Sequence, residues 1–189
     1  MKRLNLAAGL LLFLLTLVSG EAQNRAPAAN DPLPDIRLSL PSSAQHREYL
    51  GLSTTAPNCD IGQIQGELLI IEIFSMYCPH CQAEAPKVNQ LFTLLAETPD
   101  LRKRIKMIGI GVGNSAYEVD FFSKSYKIEF PLFSDEDFTI HKQIGEVRTP
   151  FFIVVRQDRT TGPRVIYTHT GKFDSAQQFL QHITQIGGK

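Results

Sequence analysis

The chain has 189 residues, 43% of them hydrophobic and 20% charged, with 19 basic residues against 19 acidic. That leaves room for one ordinary globular domain with appendages and excludes a second full domain. The balanced charge gives no sign of a nucleic-acid partner.

The first 20 residues have the three-part form of a secretory signal: a basic start, Met1-Lys2-Arg3, a nearly unbroken apolar run from Leu6 to Val18, and small residues through Gly20. Cleavage is expected near Gly20 or Ala22; removing residues 1 to 20 leaves 17 basic against 19 acidic residues. Read instead as an uncleaved membrane anchor, the run is short of the ~20 residues that span a bilayer. It also has no nearby cysteine to carry a lipid. Residues 21 to 34 contain three prolines and no periodicity, and are expected to form a flexible tether ahead of a single domain over residues 35 to 189.

Ile36, Leu38 and Leu40 alternate with polar residues, the pattern of a short half-buried strand, for which Tyr49, Leu50 and Leu52 are the expected partner. Residues 68 to 74 are apolar apart from Glu72, as in a strand buried on both faces. A helix is expected from Pro79 to about residue 96. Along it Cys81, Ala85, Val88, Phe92 and Leu95 fall on one face, and Pro86 should kink it. A strand over 105 to 112, a helix over 116 to 126, a short strand over 130 to 133 and a helix over about 135 to 144 follow. A hairpin of residues 151 to 155 and 164 to 170, then a helix over 175 to 186, complete an α/β sandwich with a mixed sheet.

Cys78 and Cys81 stand where the buried strand gives way to the helix. Two thiols at that spacing can close a disulfide within one turn, and the free N–H groups and dipole of a helix N-terminus stabilise a thiolate on the first. Pro79 falls at the first helical position, where its missing N–H costs nothing. Cys81 heads the buried stripe and Cys78 is the more accessible thiol. Outside the cytosol such a pair persists as a disulfide, and a zinc reading of one Cys-x-x-Cys loses weight. A purely structural disulfide is the plainer reading. Cys59 is left over, as a partly buried free thiol, a second redox partner for Cys78 or one half of an intermolecular bridge. Glu72, in mid-strand, is costly to bury as a carboxylate; its pKa should rise, fitting it to pass a proton to or from Cys81. On an edge strand it would be merely solvated.

The run Cys78-Pro79-His80-Cys81-Gln82-Ala83-Glu84-Ala85-Pro86, with residues 130 to 135, Arg148-Thr149-Pro150-Phe151 and the late Gly171, resembles thioredoxin-fold proteins. It is most similar to exported TlpA/ResA-type thiol-disulfide oxidoreductases, over roughly residues 60 to 185. The resemblance implies a thioredoxin-like α/β fold, a central mixed sheet flanked by helices, here with an N-terminal β extension. It implies Cys78 as nucleophile and Cys81 as resolving thiol. Thr149-Pro150 would be the fold's cis-proline, offering a backbone edge to an extended substrate. Glu84 matches the active-site glutamate of the ResA type, though a surface acid would also fit there. Pro79-His80 and the acid at Glu72 are similar to strongly oxidising DsbA, with His80 acting through charge and N–H donation on the thiolate. TlpA/ResA-type proteins more often have Asn at the place of Glu72, and Trp at that of Tyr77.

By that resemblance the chain needs no cofactor beyond its own Cys78–Cys81 disulfide. Its expected partners are client proteins with cysteines or disulfides, such as apocytochromes, and a redox protein that recycles the dithiol. Its expected location is the bacterial periplasm, at the membrane only if the N-terminal segment stays uncleaved. Two other functions compete. Ser75-x-x-Cys78 echoes a peroxiredoxin-like thiol peroxidase, although Ile71 replaces the proline that opens that motif. A Sco-like copper chaperone would use both thiolates and His169 or His141, but spaces its cysteines by three residues. Gln82 after Cys81 excludes a haem-attachment motif.

Overall fold

The computed structural model describes residues 25–188. The expected signal segment lies outside them. The chain forms β1 (Arg37–Ser39), α1 (Ala44–Leu50), β2 (Asn58–Asp60), β3 (Leu68–Phe74), α2 (Pro79–Glu97), α3 (Pro99–Arg104) and β4 (Ile105–Val112). There follow α4 (Ala116–Tyr126), β5 (Leu132–Asp135), α5 (Thr139–Gln143), β6 (Phe151–Arg156), β7 (Arg164–Thr170) and α6 (Ala176–Gly187).

The main sheet has the order β5-β4-β3-β6-β7. Its central strand β3 pairs in parallel with β4 and antiparallel with β6, which places Gly109 and Phe152 on either side of Glu72. β5 extends the parallel side and β7 the antiparallel side, with a bulge at Val154 and Val155. The mixed sheet expected from the alternation of elements is the one found. Residues 116 to 126 and 164 to 170 have the expected limits as well. Local signals explain that agreement. In α4, Ser115 and Glu118 form a capping box. In α6, the Ser175 hydroxyl accepts from the N–H of Gln178.

Because side chains alternate along a strand, β3 sends two different sets of residues to the two faces of the sheet. Leu69, Ile71 and Ile73 join one cluster with Ile108, Ile110, Ile153 and Val155, roofed by Leu33, Ile36, Leu38, Leu50, Cys59 and Ile140. Leu68, Ile70 and Phe74 join the other with Met107, Phe152 and Val154. There α2 supplies Cys81, Ala85, Val88 and Leu91, α4 supplies Val119 and Phe122, and α6 supplies Phe179 and Ile183.

Three expectations are corrected. Residues 25 to 34 are no tether: the N–H groups of Asn30 and Leu33 donate to the carbonyls of Val165 and Pro163, Arg25 pairs with Asp31, and Leu33 is buried. Prolines suit such an edge because it needs only alternate N–H donors. The partner of β1 is β2, with Leu38 opposite Cys59, whereas residues 44 to 50 are a helix capped by Ser43 and ended by Gly51 at φ 66°. Its apolar residues Leu50 and Tyr49 fill helical rather than alternating positions. The helix expected from residue 135 begins only at Thr139, since Asp135 ends β5 and its carboxylate accepts from the N–H groups of Ile140 and His141.

Candidate active site

Helix α2 starts at the end of the central strand, with Cys78 as its N-cap and Pro79 in its first turn. Cys78 is partly exposed and Cys81 fully buried, both as free thiols. The loop between β3 and α2 is tied from three sides. Asn114 Oδ1 accepts from the N–H of Met76 (2.8 Å), Gln82 Nε2 donates to the carbonyl of Met76 (2.7 Å), and the Tyr77 hydroxyl donates to Glu118. Asn114 is buried, and its Nδ2 has no hydrogen-bond partner.

The Thr149–Pro150 bond is cis, as expected. It faces the dithiol: the Cys78 thiol donates to the carbonyl of Thr149 at 3.4 Å. Partial burial pushes the Cys78 pKa up. The Thr149 side chain, the Cys81 N–H and thiol and the His80 N–H outweigh this and leave it below the ordinary thiol value. Burial pushes Cys81 strongly the other way, and a neighbouring Cys78 thiolate adds to the rise. The first proton to leave the pair therefore comes from Cys78.

Glu72 is 2% exposed. Its position in β3 shares the face of Leu68, Ile70 and Phe74, the side covered by α2. Burial, reinforced by the charge of Glu84, raises its pKa to about 8. Near neutral pH it is a protonated acid that can also lose its proton. Glu84 is fully buried too, which removes the surface-acid alternative. Its Oε1 accepts from the N–H of Phe173 (3.0 Å), and its Oε2 has no hydrogen-bond partner, the Lys87 ammonium standing 3.7 Å away. Lys87 in turn donates to the carbonyl of Phe173 (2.6 Å). Burial raises the Glu84 pKa, while the Phe173 N–H and Lys87 oppose the rise. Glu84 thus clamps the turn between β7 and α6 against α2.

The His80 side chain is exposed beside the dithiol. Cys59 is buried in the opposite cluster, away from Cys78 and Cys81, with its pKa raised by burial and by Asp60. His141 contacts the carbonyl of Val147, and His169 that of Lys172. Among the described residues no group of three His, Cys, Asp or Glu side chains is placed to hold a metal ion. The residues that sequence reading missed are Asn114, Gln82 and Lys87. Asn114 reaches Met76 across 38 positions and Lys87 reaches Phe173 across 86. Only the Gly113-Asn114-Ser115 turn at the end of a strand hinted at Asn114.

A mixed sheet whose central strand runs into a helix headed by Cys-x-x-Cys, with a cis-proline against the first thiol, defines a thioredoxin-like protein. Within that class the chain belongs to the Redoxin family, whose model matches residues 28–181. Among curated proteins it is similar to the soluble secreted antigen MPT53 of Mycobacterium tuberculosis, 26% identical over 102 residues. That match covers 54% of this chain and 55% of the antigen, so the chain aligns with about half of the relative's length.

Among solved structures it resembles a putative thiol:disulfide interchange protein DsbE from Chlorobium tepidum, with TM-score 0.64 and 14% identity over 86% of this chain and 100% of that one. A secreted disulfide oxidoreductase of M. tuberculosis gives TM-score 0.53 and 21% identity over 69% and 90% of the two chains. StoA from Bacillus subtilis gives 0.52 and 19% over 66% and 87%. These likenesses establish the fold.

Proposed function

We propose that the protein is an exported thiol-disulfide oxidoreductase that exchanges disulfides with protein cysteines through Cys78 and Cys81. The observation that carries this reading is the split between the two thiols: an accessible Cys78 with a lowered pKa beside a buried Cys81 with a raised one. Export is supported by the similarity to a relative named as secreted.

In the reducing direction the Cys78 thiolate attacks one sulfur of a client disulfide. A Cys78–client disulfide forms and the first client thiolate leaves. Cys81 then loses its proton, attacks the Cys78 sulfur and releases the second client thiolate. Two electrons pass from the dithiol to the client, and the protein is left with a Cys78–Cys81 disulfide. Every step reverses for oxidation, so the direction follows from the potential of the couple against that of its partner.

Glu72 is the group assigned to pass the Cys81 proton: its ionised form takes that proton when Cys81 attacks, its protonated form returns it in the reverse step, and a pKa of about 8 keeps both forms accessible near neutral pH. Glu84 positions α2 against the turn at Phe173. The cis Thr149–Pro150 carbonyl edge is the docking strand for the client backbone. Pro79 and His80 set the poise, giving a couple more oxidising than the ~−270 mV of thioredoxin and displaced toward the ~−120 mV of DsbA.

The test is a Cys81→Ala variant incubated with periplasmic extract, together with the potential of the wild-type couple in glutathione buffers. Mixed disulfides through Cys78 are expected to accumulate. A variant that traps none, in a protein whose two thiols never form a disulfide with each other, overturns the reading.

A further inference from the structure

Four large hydrophobic side chains stand exposed among the described residues: Tyr77, Tyr117, Phe121 and Phe138. Tyr77, Tyr117 and Phe121 line one open groove of about 500 Å³ with Met76, Ser115, Glu118 and Glu136. Phe138 lies against Gly113, two residues before the groove's Ser115, with its backbone in the left-handed region at φ 62°. An aromatic residue rarely adopts that conformation without a compensating use.

The fold does not need this surface. Helix α4 buries Val119 and Phe122 against the sheet, and Tyr117 and Phe121 form a second apolar stripe, one turn apart, on a side that covers nothing. The exposed fractions are 64% for Tyr77, 76% for Tyr117 and 51% for Phe121, so most of this aromatic surface meets water. Three exposed aromatic side chains gathered at one groove beside two carboxylates are the composition of an interaction surface rather than of scattered surface residues.

Two features identify the occupant. First, the groove begins one residue from the dithiol: Tyr77, which lines it, directly precedes Cys78, and its hydroxyl is anchored on Glu118 of α4. A chain whose cysteine reacts with Cys78 lays its neighbouring residues here. Secondly, the charged groups lining the groove are Glu118 and Glu136, with no lysine or arginine among the lining residues. Hydrogen bonds from Tyr77 and Ser115 hold Glu118 below the usual carboxylate range, so it stays an anion. Lys124, the basic residue in the last turn of α4, is taken up by Asp120 at 2.6 Å.

We propose that the groove between the Tyr77 loop and α4 docks an extended client segment that carries an aromatic or aliphatic residue and a Lys or Arg close to its reacting cysteine. The proposal rests on the dithiol-exchange reading and names the clients it favours. Docking here holds the client cysteine at Cys78, while the cis-proline edge takes the backbone on the other side of the thiol.

The test separates binding from exchange. A synthetic peptide with Phe and Arg flanking a Ser in place of the cysteine is titrated by NMR, and a second peptide has Glu in place of Arg. The Arg peptide is expected to shift the resonances of Tyr117 and Phe121 to saturation. Tyr117→Ala combined with Phe121→Ala should weaken its binding about tenfold or more, and Glu136→Lys should reverse the preference between the two peptides. The same variants should keep the wild-type circular dichroism and the wild-type rate with bis(2-hydroxyethyl) disulfide, a neutral substrate too small to reach the groove. Peptides that leave the groove resonances unmoved, or variants that bind them as the wild type does, overturn the proposal. So does a groove filled by a second copy of the chain, seen as concentration-dependent dimerisation that the peptide cannot compete with. If the peptide binds as described but the wild type never turns over the small disulfide, the docking surface stands and the dithiol-exchange reading falls.

Discussion

The two faces of strand β3 differ by one residue in chemistry and by everything in use. Leu69, Ile71 and Ile73 meet an apolar roof built from the N-terminal segment and α1. The other face carries Leu68, Ile70 and Phe74, but also Glu72, under the helix that brings Cys81 and Glu84. Asp135 offers a useful contrast, for it is buried and both its carboxylate oxygens accept from N–H groups at the start of α5. Glu84 keeps one oxygen without a hydrogen bond, and burial raises its pKa and that of Glu72. A satisfied buried acid holds structure together. An acid whose pKa is raised by burial, as Glu72 is under the helix that carries Cys81, holds its proton near neutral pH at a cost in stability.

The largest effect that sharpens this contrast comes from exchanging the two chemistries. Ile71→Glu should cost more than about 4 kcal/mol and leave the chain largely unfolded, since its face offers no partner to a carboxylate. Glu72→Leu, one residue along, should stabilise the protein by about 1 to 3 kcal/mol at neutral pH while slowing exchange. Urea denaturation of both variants measures the difference. A Glu72→Leu variant destabilised as heavily as Ile71→Glu would erase the distinction between the faces.

The next effect is on pH dependence. The Glu72 pKa rises to about 8 in the folded chain, against about 4.3 unfolded. The folded state therefore keeps a proton that the unfolded state has released. The stabilisation from that proton is complete below the unfolded pKa and is lost as pH rises through the folded one, by up to about 1.4 kcal/mol per unit. The upward shift of Glu84 acts with the same sign. Wild-type stability should thus fall between pH 5 and 8, and Glu72→Gln should flatten much of the slope. A wild-type stability that climbs across this window would contradict the assignment.

A third measurement separates the thiols. Alkylation of reduced protein, followed site by site by mass spectrometry, should give Cys78 a pH midpoint below the ~8.5 of an ordinary thiol. Cys81 should stay unmodified at pH 9, where burial still holds its proton. Equal labelling of both would remove the order of attack and resolution. The smallest effect is at the edge of the site: Ser115→Ala removes the N-cap of α4 and should cost about 1 kcal/mol with little change in exchange with a small disulfide. A large loss of exchange would instead make the cap, through Glu118 and Tyr77, part of the machinery.

Much of the architecture was legible because it rests on local signals. Residues 68 to 74 are apolar enough to be a central strand in any context, and the helix after them opens on Pro79 at a position where proline is favoured. The order of strands and helices then left few topologies open. Errors arose where a pattern had two solutions. Tyr49, Leu50 and Leu52 read as a strand beside Ile36 to Leu40, but Ser43 and Gly51 cap them into a helix, and residues 58 to 60 take the partner's place. The proline-rich stretch before residue 35 read as a tether because composition reports flexibility, while its hydrogen bonds to residues 163 to 165 are long-range.

Within the site, the amino-acid sequence by itself determined the Cys-x-x-Cys at the strand-to-helix junction, the Thr-Pro pair and an acid six residues before the first cysteine. Those are properties of neighbours along the chain. Only the tertiary structure decided that Glu84 is buried and bound to Phe173, that Asn114 and Gln82 hold the loop before Cys78, and that the two thiols differ so widely in acidity. The physical reason is that a pKa and an orphaned polar atom depend on which groups surround them, and decisive ones come from residues 38 to 89 positions away.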